Sequence, residues 1–164
     1  MGDDGFGLAV LERIQACWQL PTEIELVDGG TWGMKLLPLI ESARRVLLLD
    51  AINAGIEPGS AVVLSRGELP CYFSHKLSPH QIDLREVLAL TELRGTMPNE
   101  LVAMGVQPES IELRSGLSAT LADRVDDIAK QAVARLLAWG HRCCPVCSRG
   151  TNGGPESALP AMRS

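Results

Sequence analysis

Three side chains have the types and the local settings for metal chemistry: Asp4, Asp50 and His80. His80 lies in Leu77-Ser78-Pro79-His80-Gln81, which reads as the first turn of a helix. Ser78 is a good N-cap, Pro79 suits the first helical position, and Gln81 stands where a capping box takes Glu or Gln. The positive end of the helix dipole there disfavours imidazolium and keeps His80 neutral, the form that binds metal. Asp4 sits in a Gly-flanked turn entering a helix, and Asp50 closes an aliphatic run. Two carboxylates and one neutral imidazole suit a divalent first-row metal and leave positions open for water or a substrate group. Each residue also has a plainer reading. Asp4 can be a helix cap, Asp50 a cap on the loop after its strand, and His80 a surface residue. Spacing alone does not show that the three converge.

Other chemistries fit less well. Gly2-Asp3-Asp4-Gly5-Phe6-Gly7 is neither a GxGxxG turn nor a P-loop, and no Gly-x-Ser-x-Gly elbow is present. Cys71 has His75 four residues on, without a context that would activate the thiol. Asp28 is a possible second carboxylate for acid–base work, but it more simply supports the Gly29-Gly30 turn beside it. His141 with Cys143, Cys144 and Cys147 can be drawn as a zinc site. Structural zinc usually takes ligand pairs from two segments, and one segment supplies all of these.

The elements that would position these residues follow from composition and pattern. The chain has 164 residues, 46% of them hydrophobic, enough for one domain with a mostly aliphatic core because aromatics make up 4%. A net charge of −5 argues against nucleic acid as a partner, and no apolar run has the length of a membrane span. A soluble cytoplasmic monomer without a signal peptide is the expectation. Residues 5–19 carry Val10, Ile14, Cys17 and Trp18 at helical spacing, with Asp3 and Asp4 placed to cap them. Residues 23–27 alternate polar and apolar like a strand, and Gly29 and Gly30 allow a turn with positive φ. A helix over 32–42 should be kinked or shortened by Pro38.

Residues 45–50 form a continuous aliphatic strand covered on both faces, and 61–64 and 100–106 give two further strands. The helix opened by Ser78 runs to about Leu93. Ser118 caps a long amphipathic helix with Leu121, Val125, Ile128, Ala132 and Leu136 on one stripe. Strands alternating with helices predict an α/β fold of three layers, a mostly parallel twisted sheet with helices on both faces. Residues 1–140 read as a single domain, and 141–164, rich in Cys, Gly and Pro, as a flexible tail. Ligands in such folds bind beyond the carboxyl ends of the strands, the edge at which Asp28 and Asp50 are expected.

Taken in order, several motifs resemble those of the hydrogenase maturation proteases, endopeptidases that trim the large subunit of nickel-iron hydrogenases. They are Asp3-Asp4-Gly5-Phe6-Gly7, Asp28-Gly29-Gly30-Thr31-Trp32-Gly33, Leu49-Asp50-Ala51 and Ser78-Pro79-His80-Gln81. Gly105-Val106-Gln107-Pro108-Glu109-Ser110 and Gly116-Leu117-Ser118 also fit, so the resemblance spans residues 2–139. It implies a phosphorylase/hydrolase-like fold, with Asp4, Asp50 and His80 as metal ligands and catalytic residues. The first of these is Glu in some relatives, so Asp4 keeps the chemistry with a shorter reach. The resemblance further implies cleavage of a C-terminal extension from the large-subunit precursor. Nickel is already bound in that precursor, and no organic cofactor is called for. The alternative is a non-catalytic accessory factor that binds metal or precursor.

Family members begin with a hydrophobic strand and a Gly-rich turn, whereas this chain starts at Met1 inside the Asp-Asp-Gly motif. Met1 is therefore expected to be an internal Met of a longer product. The first strand would then be missing, and the chain as written would fold poorly.

Overall fold

The structure is a computed structural model and describes residues 2–30, 33–69, 84–109 and 116–146. Its centre is the pairing of the two most apolar runs. β2 (Arg45–Ala51) lies parallel to β4 (Glu100–Val106), in register from Arg45 opposite Glu100 to Ala51 opposite Val106. β3 (Ala61–Ser65) lies on the other side of β4 and runs antiparallel to it, with Ala61 opposite Val106. The sheet order is β2-β4-β3. The expected mostly parallel sheet is thus mixed. Residues 52–60 contain no helix, and a parallel return needs a crossover of a dozen residues or more.

Helices cover both faces. α1 (Phe6–Cys17) and α5 (Val125–Ala138) pack Phe6, Val10, Ile14, Ile128 and Ala132 against Ala51, Met104 and Val106. α2 (Leu37–Ser42) and α3 (Leu84–Leu93) pack Leu37, Ile40, Val87 and Leu88 against Val62, Leu101 and Ala103. β2 feeds both cores, Leu47 and Leu49 into the first and Val46 and Leu48 into the second. Period-two alternation in a continuous aliphatic strand produces this division. Each large apolar side chain buried here is worth about 1.5–3 kcal/mol.

The backbone of β2 is used unevenly. Ile52 N–H donates to the Val106 carbonyl and Glu100 N–H to the Arg44 carbonyl, so the even-numbered groups of β2 face β4. The odd-numbered groups, at Leu47 and Leu49, face the opposite edge, where no strand pairs among the described residues. Residues 23–27, read as a strand, form none. Alternation makes a segment suitable for a sheet, but a ladder also needs a neighbour, and none lies beside this one among the described residues.

Other elements depart from pattern in smaller ways. Trp18 leaves the helix and forms β1 (Trp18–Gln19), paired antiparallel with β5 (Cys144–Pro145). Val146 N–H donates to the Cys17 carbonyl, and His141 Nδ1 lies 3.5 Å from Glu23 Oε1. The folded domain therefore continues through Val146, past the boundary read at 140. Pro38 does not kink a helix. A 3-10 turn, Gly33–Leu36, precedes α2, and Pro38 sits in the first turn of α2, where a missing N–H costs nothing. Ser118 does cap, accepting from Leu121 N–H, but the long helix breaks into α4 (Ala119–Ala122) and α5. No helix among the described residues is long and apolar enough to cross a membrane.

Candidate active site

Asp50 is the last residue but one of β2, half-buried at the carboxyl edge of the sheet. Its Oδ1 accepts the N–H of Ala51 at 2.9 Å, which orients the carboxylate along the strand end. Two glycines bring backbone against this point. A Cβ on Gly105, the residue opposite Asp50, would collide with the Asp50 carbonyl oxygen. A Cβ on Gly7 would collide with the Leu49 carbonyl oxygen and come within 3.4 Å of the Asp50 Cα. Gly7 thus lets the first turn of α1 rest directly on the end of β2, a close approach that any side chain would block.

That contact carries the Asp3-Asp4 turn with it. The pair lies in a 3-10 turn, Gly2–Gly5, leading into α1. The two acids have opposite fates. Asp3 is buried, 5% exposed, and accepts N–H bonds from Glu109 at 3.0 Å and Ser118 at 2.8 Å. Asp4 is exposed. Neither caps α1: its N-cap is Gly5, with no side-chain hydrogen bond. The expected capping role gives way to a tertiary one for Asp3, whose carboxylate satisfies two backbone donors in the loop after β4. Asp4, one residue on, is left for solvent or ligand, beside the strand end that bears Asp50.

His80 lies outside the described residues, as do Ser78, Pro79 and Gln81. Asp50 and the turn bearing Asp4 are brought to one edge. Asp28 is not at a strand end, because its segment is not a strand. Its Oδ1 accepts the Gly30 N–H at 3.1 Å, so the carboxylate itself closes the turn, and neither Gly29 nor Gly30 takes a positive φ. Among the described residues no three His, Cys, Asp or Glu side chains are grouped to hold a metal. Cys17, Cys143 and Cys144 are free thiols, and Cys147 lies outside the described residues. Burial, with Cys144 and Glu23 nearby, pushes the Cys143 thiol up and away from thiolate character.

Sequence reading singled out Gln107 only as part of a motif, and the structure gives it a specific place. It is buried, 7% exposed, immediately after β4. Its Oε1 accepts from Ala54 N–H at 2.8 Å and Ile56 N–H at 3.3 Å. Its Nε2 donates to Asn53 Oδ1 at 3.0 Å and to the Pro108 carbonyl at 3.3 Å. The loop that follows Asp50 is folded onto this one amide. A Gln directly after an apolar strand is the signal that could have drawn attention to it.

Comparisons with known proteins point to a single family. The family model described as hydrogenase maturation protease matches residues 8–135. The hydrogenase expression/formation protein HupD of Rhodobacter capsulatus is 35% identical over 140 residues, covering 84% of this chain and 67% of the relative. The hydrogenase 2 maturation protease of Escherichia coli is 33% identical over 144 residues, covering 87% of this chain and 88% of the relative. Among solved structures, the hydrogenase maturating endopeptidase HybD from E. coli superposes with a TM-score of 0.82. It is 33% identical, with 88% of this chain and 90% of that one covered.

Proposed function

The chain belongs to the hydrogenase maturation protease family, and from that premise we propose that Asp4, Asp50 and His80 form the site that cuts a nickel-loaded large-subunit precursor. The chain is a peptide-bond hydrolase of hydrogenase maturation. Its proposed reaction is removal of the precursor's C-terminal extension, carried out in the cytoplasm by a monomer.

The observation that carries the site assignment is the Gly7 and Gly105 close packing at the end of β2. It holds Asp50 at the carboxyl edge and sets the Asp4 turn against the same strand. Two carboxylates with an imidazole make a donor set that suits a divalent first-row metal, and the precursor's nickel is such a metal. Asp4, Asp50 and His80 would hold the metal, which would supply Lewis-acid polarisation of the peptide to be cut. The chain's own part is positional. The Ala51 N–H fixes the Asp50 carboxylate. Asp3 draws the turn inward so that Asp4 faces out. A site with three protein ligands leaves positions for a metal that arrives already bound by its own protein.

The test is cleavage of nickel-loaded precursor, followed by gel shift and mass of the released peptide. Asp50→Asn and His80→Ala are each expected to abolish release, with a loss above about a thousand-fold. Normal release by both variants would overturn the site. Nickel-dependent binding of precursor by the unaltered chain, with no peptide released, would mark it as a binding module instead.

A further inference from the structure

We propose that residues 53–58 are a precursor-recognition loop, with Gln107 as its positioning residue and Ile56 as its apolar contact. The proposal rests on the function stated above and adds where the precursor is gripped.

The loop begins three residues after Asp50 and two after the end of β2, so it stands at the edge of the candidate site. Residues 53–58 are all exposed, and Ile56 is 47% exposed. An exposed connection of this kind usually leaves its N–H groups to water and stays mobile. Here both legs are tied to one buried residue. The Gln107 backbone donates to the Ser60 carbonyl and accepts from Gly59 N–H, each at 2.9 Å. Its side chain accepts from Ala54 and Ile56 and donates to Asn53. Asn53 Oδ1 also accepts from Gly55 N–H at 3.3 Å, closing the tip, where Gly55 takes φ +70°. At the far leg a Cβ on Gly59 would come within 2.8 Å of Thr120 Cγ2, so the loop also seats on α4.

Fixing exposed backbone costs about 1–2 kcal/mol per residue, and burying an amide costs more unless all its bonds are made. Neither expense is returned by core packing, because none of residues 53–58 joins either hydrophobic core. The return is a preformed surface: a partner that binds it has less ordering to do. A lone exposed Ile is ordinary on a protein surface. Ile56 differs in that its own N–H is held by the buried Gln107 amide, so the backbone that carries its side chain is fixed.

The experiment measures binding and cleavage of full-length nickel-loaded large-subunit precursor by the whole chain and by two variants. Ile56→Asp, a surface change, is expected to raise both Kd and KM about ten-fold, with the effect in KM rather than kcat. Gln107→Leu is expected to raise Kd similarly and to speed amide hydrogen exchange at Ala54 and Ile56, while exchange in β4 stays slow. Unchanged Kd and KM in Ile56→Asp would overturn the recognition loop and leave the protease reading intact. Precursor bound but not cut by the unaltered chain, with binding weakened in Ile56→Asp, would uphold the loop and overturn the protease reading. An unaltered chain that neither binds nor cuts precursor would overturn both.

Discussion

The two ends of the β2–β4 pair are fastened by different chemistry. At the amino end the fastening is charged and partly exposed. Arg45 Nε pairs with Glu100 Oε1 at 2.7 Å across the first register position, and Arg45 Nη1 donates to the Trp139 carbonyl at 2.8 Å. Trp139 Nε1 donates to Glu100 Oε2 at 2.7 Å, and the guanidinium lies 5.9 Å from the centre of the Trp139 ring. This network joins the end of α5 to the start of both strands. At the carboxyl end the fastening is buried and aimed at backbone. The side chains of Asp3 and Gln107 bind five loop N–H and C=O groups between them, and two glycines admit close backbone contact. Salt bridges between half-exposed side chains contribute little and tolerate change. Buried acceptors holding backbone donors are costly to disturb. The amino end is an anchor, and the carboxyl end is a mount for loops that work.

The contrast can be broken most directly through the two acids at equivalent places. Asp50→Asn, at the carboxyl end, is expected to stop precursor cleavage with little change in melting temperature. Glu100→Gln, at the amino end, should leave the cleavage rate within about two-fold, consistent with a surface change. Equal losses from both would show that the ends are not functionally distinct. Next in size is Gly105→Ala. Its Cβ would meet the Asp50 carbonyl, which cannot move without parting β2 from β4. A loss of about 3 kcal/mol in denaturant unfolding is expected, along with lost cleavage.

Asp3→Ala strips the acceptor from the Glu109 and Ser118 donors and should cost about 2–4 kcal/mol. Asp3→Asn keeps one acceptor oxygen and should cost less. Equal stability of Asp3→Ala and the parent chain would mean that these loops are held some other way.

The smallest effect is one of pH at the amino end. The hydrogen bond from Arg45 outweighs desolvation and, with a lesser contribution from the Trp139 hydrogen bond, holds the Glu100 carboxyl below the ordinary glutamate range. A group whose pKa is lowered by folding stabilises the fold at pH values above its unfolded pKa. That contribution is lost as pH falls through the folded value. Melting curves of the parent chain and Glu100→Gln should therefore differ slightly at neutral pH and converge in acid.

Much of the fold was legible because it rests on local pattern. The apolar runs at 45–50 and 100–106 read as strands, and strands they are. The stripe through Val10 and Ile14 could only be a helix facing a core. The carboxyl-end rule placed Asp50 correctly from its position in β2 alone. Residues 23–27 misled because alternation records suitability for a sheet and says nothing of whether a neighbour is present. Sequence did not tell which of Asp3 and Asp4 is buried, since two adjacent acids before a helix both look like caps. The loop donors that claim Asp3 lie more than a hundred residues away. The same distance hid Gln107, whose amide is matched to groups some fifty residues earlier in the chain.

Sequence by itself determined most of the element types and the layering implied by their alternation, and it named Asp4, Asp50 and His80 as candidates for binding metal. Those follow from side-chain periodicity and local backbone preference, which act within a few residues. Tertiary structure decided which of two neighbouring acids is buried, that β3 turns back antiparallel, and that the loop after Asp50 is tied to Gln107. Each of these depends on pairing a donor with an acceptor, or a strand with a neighbour, across the length of the chain.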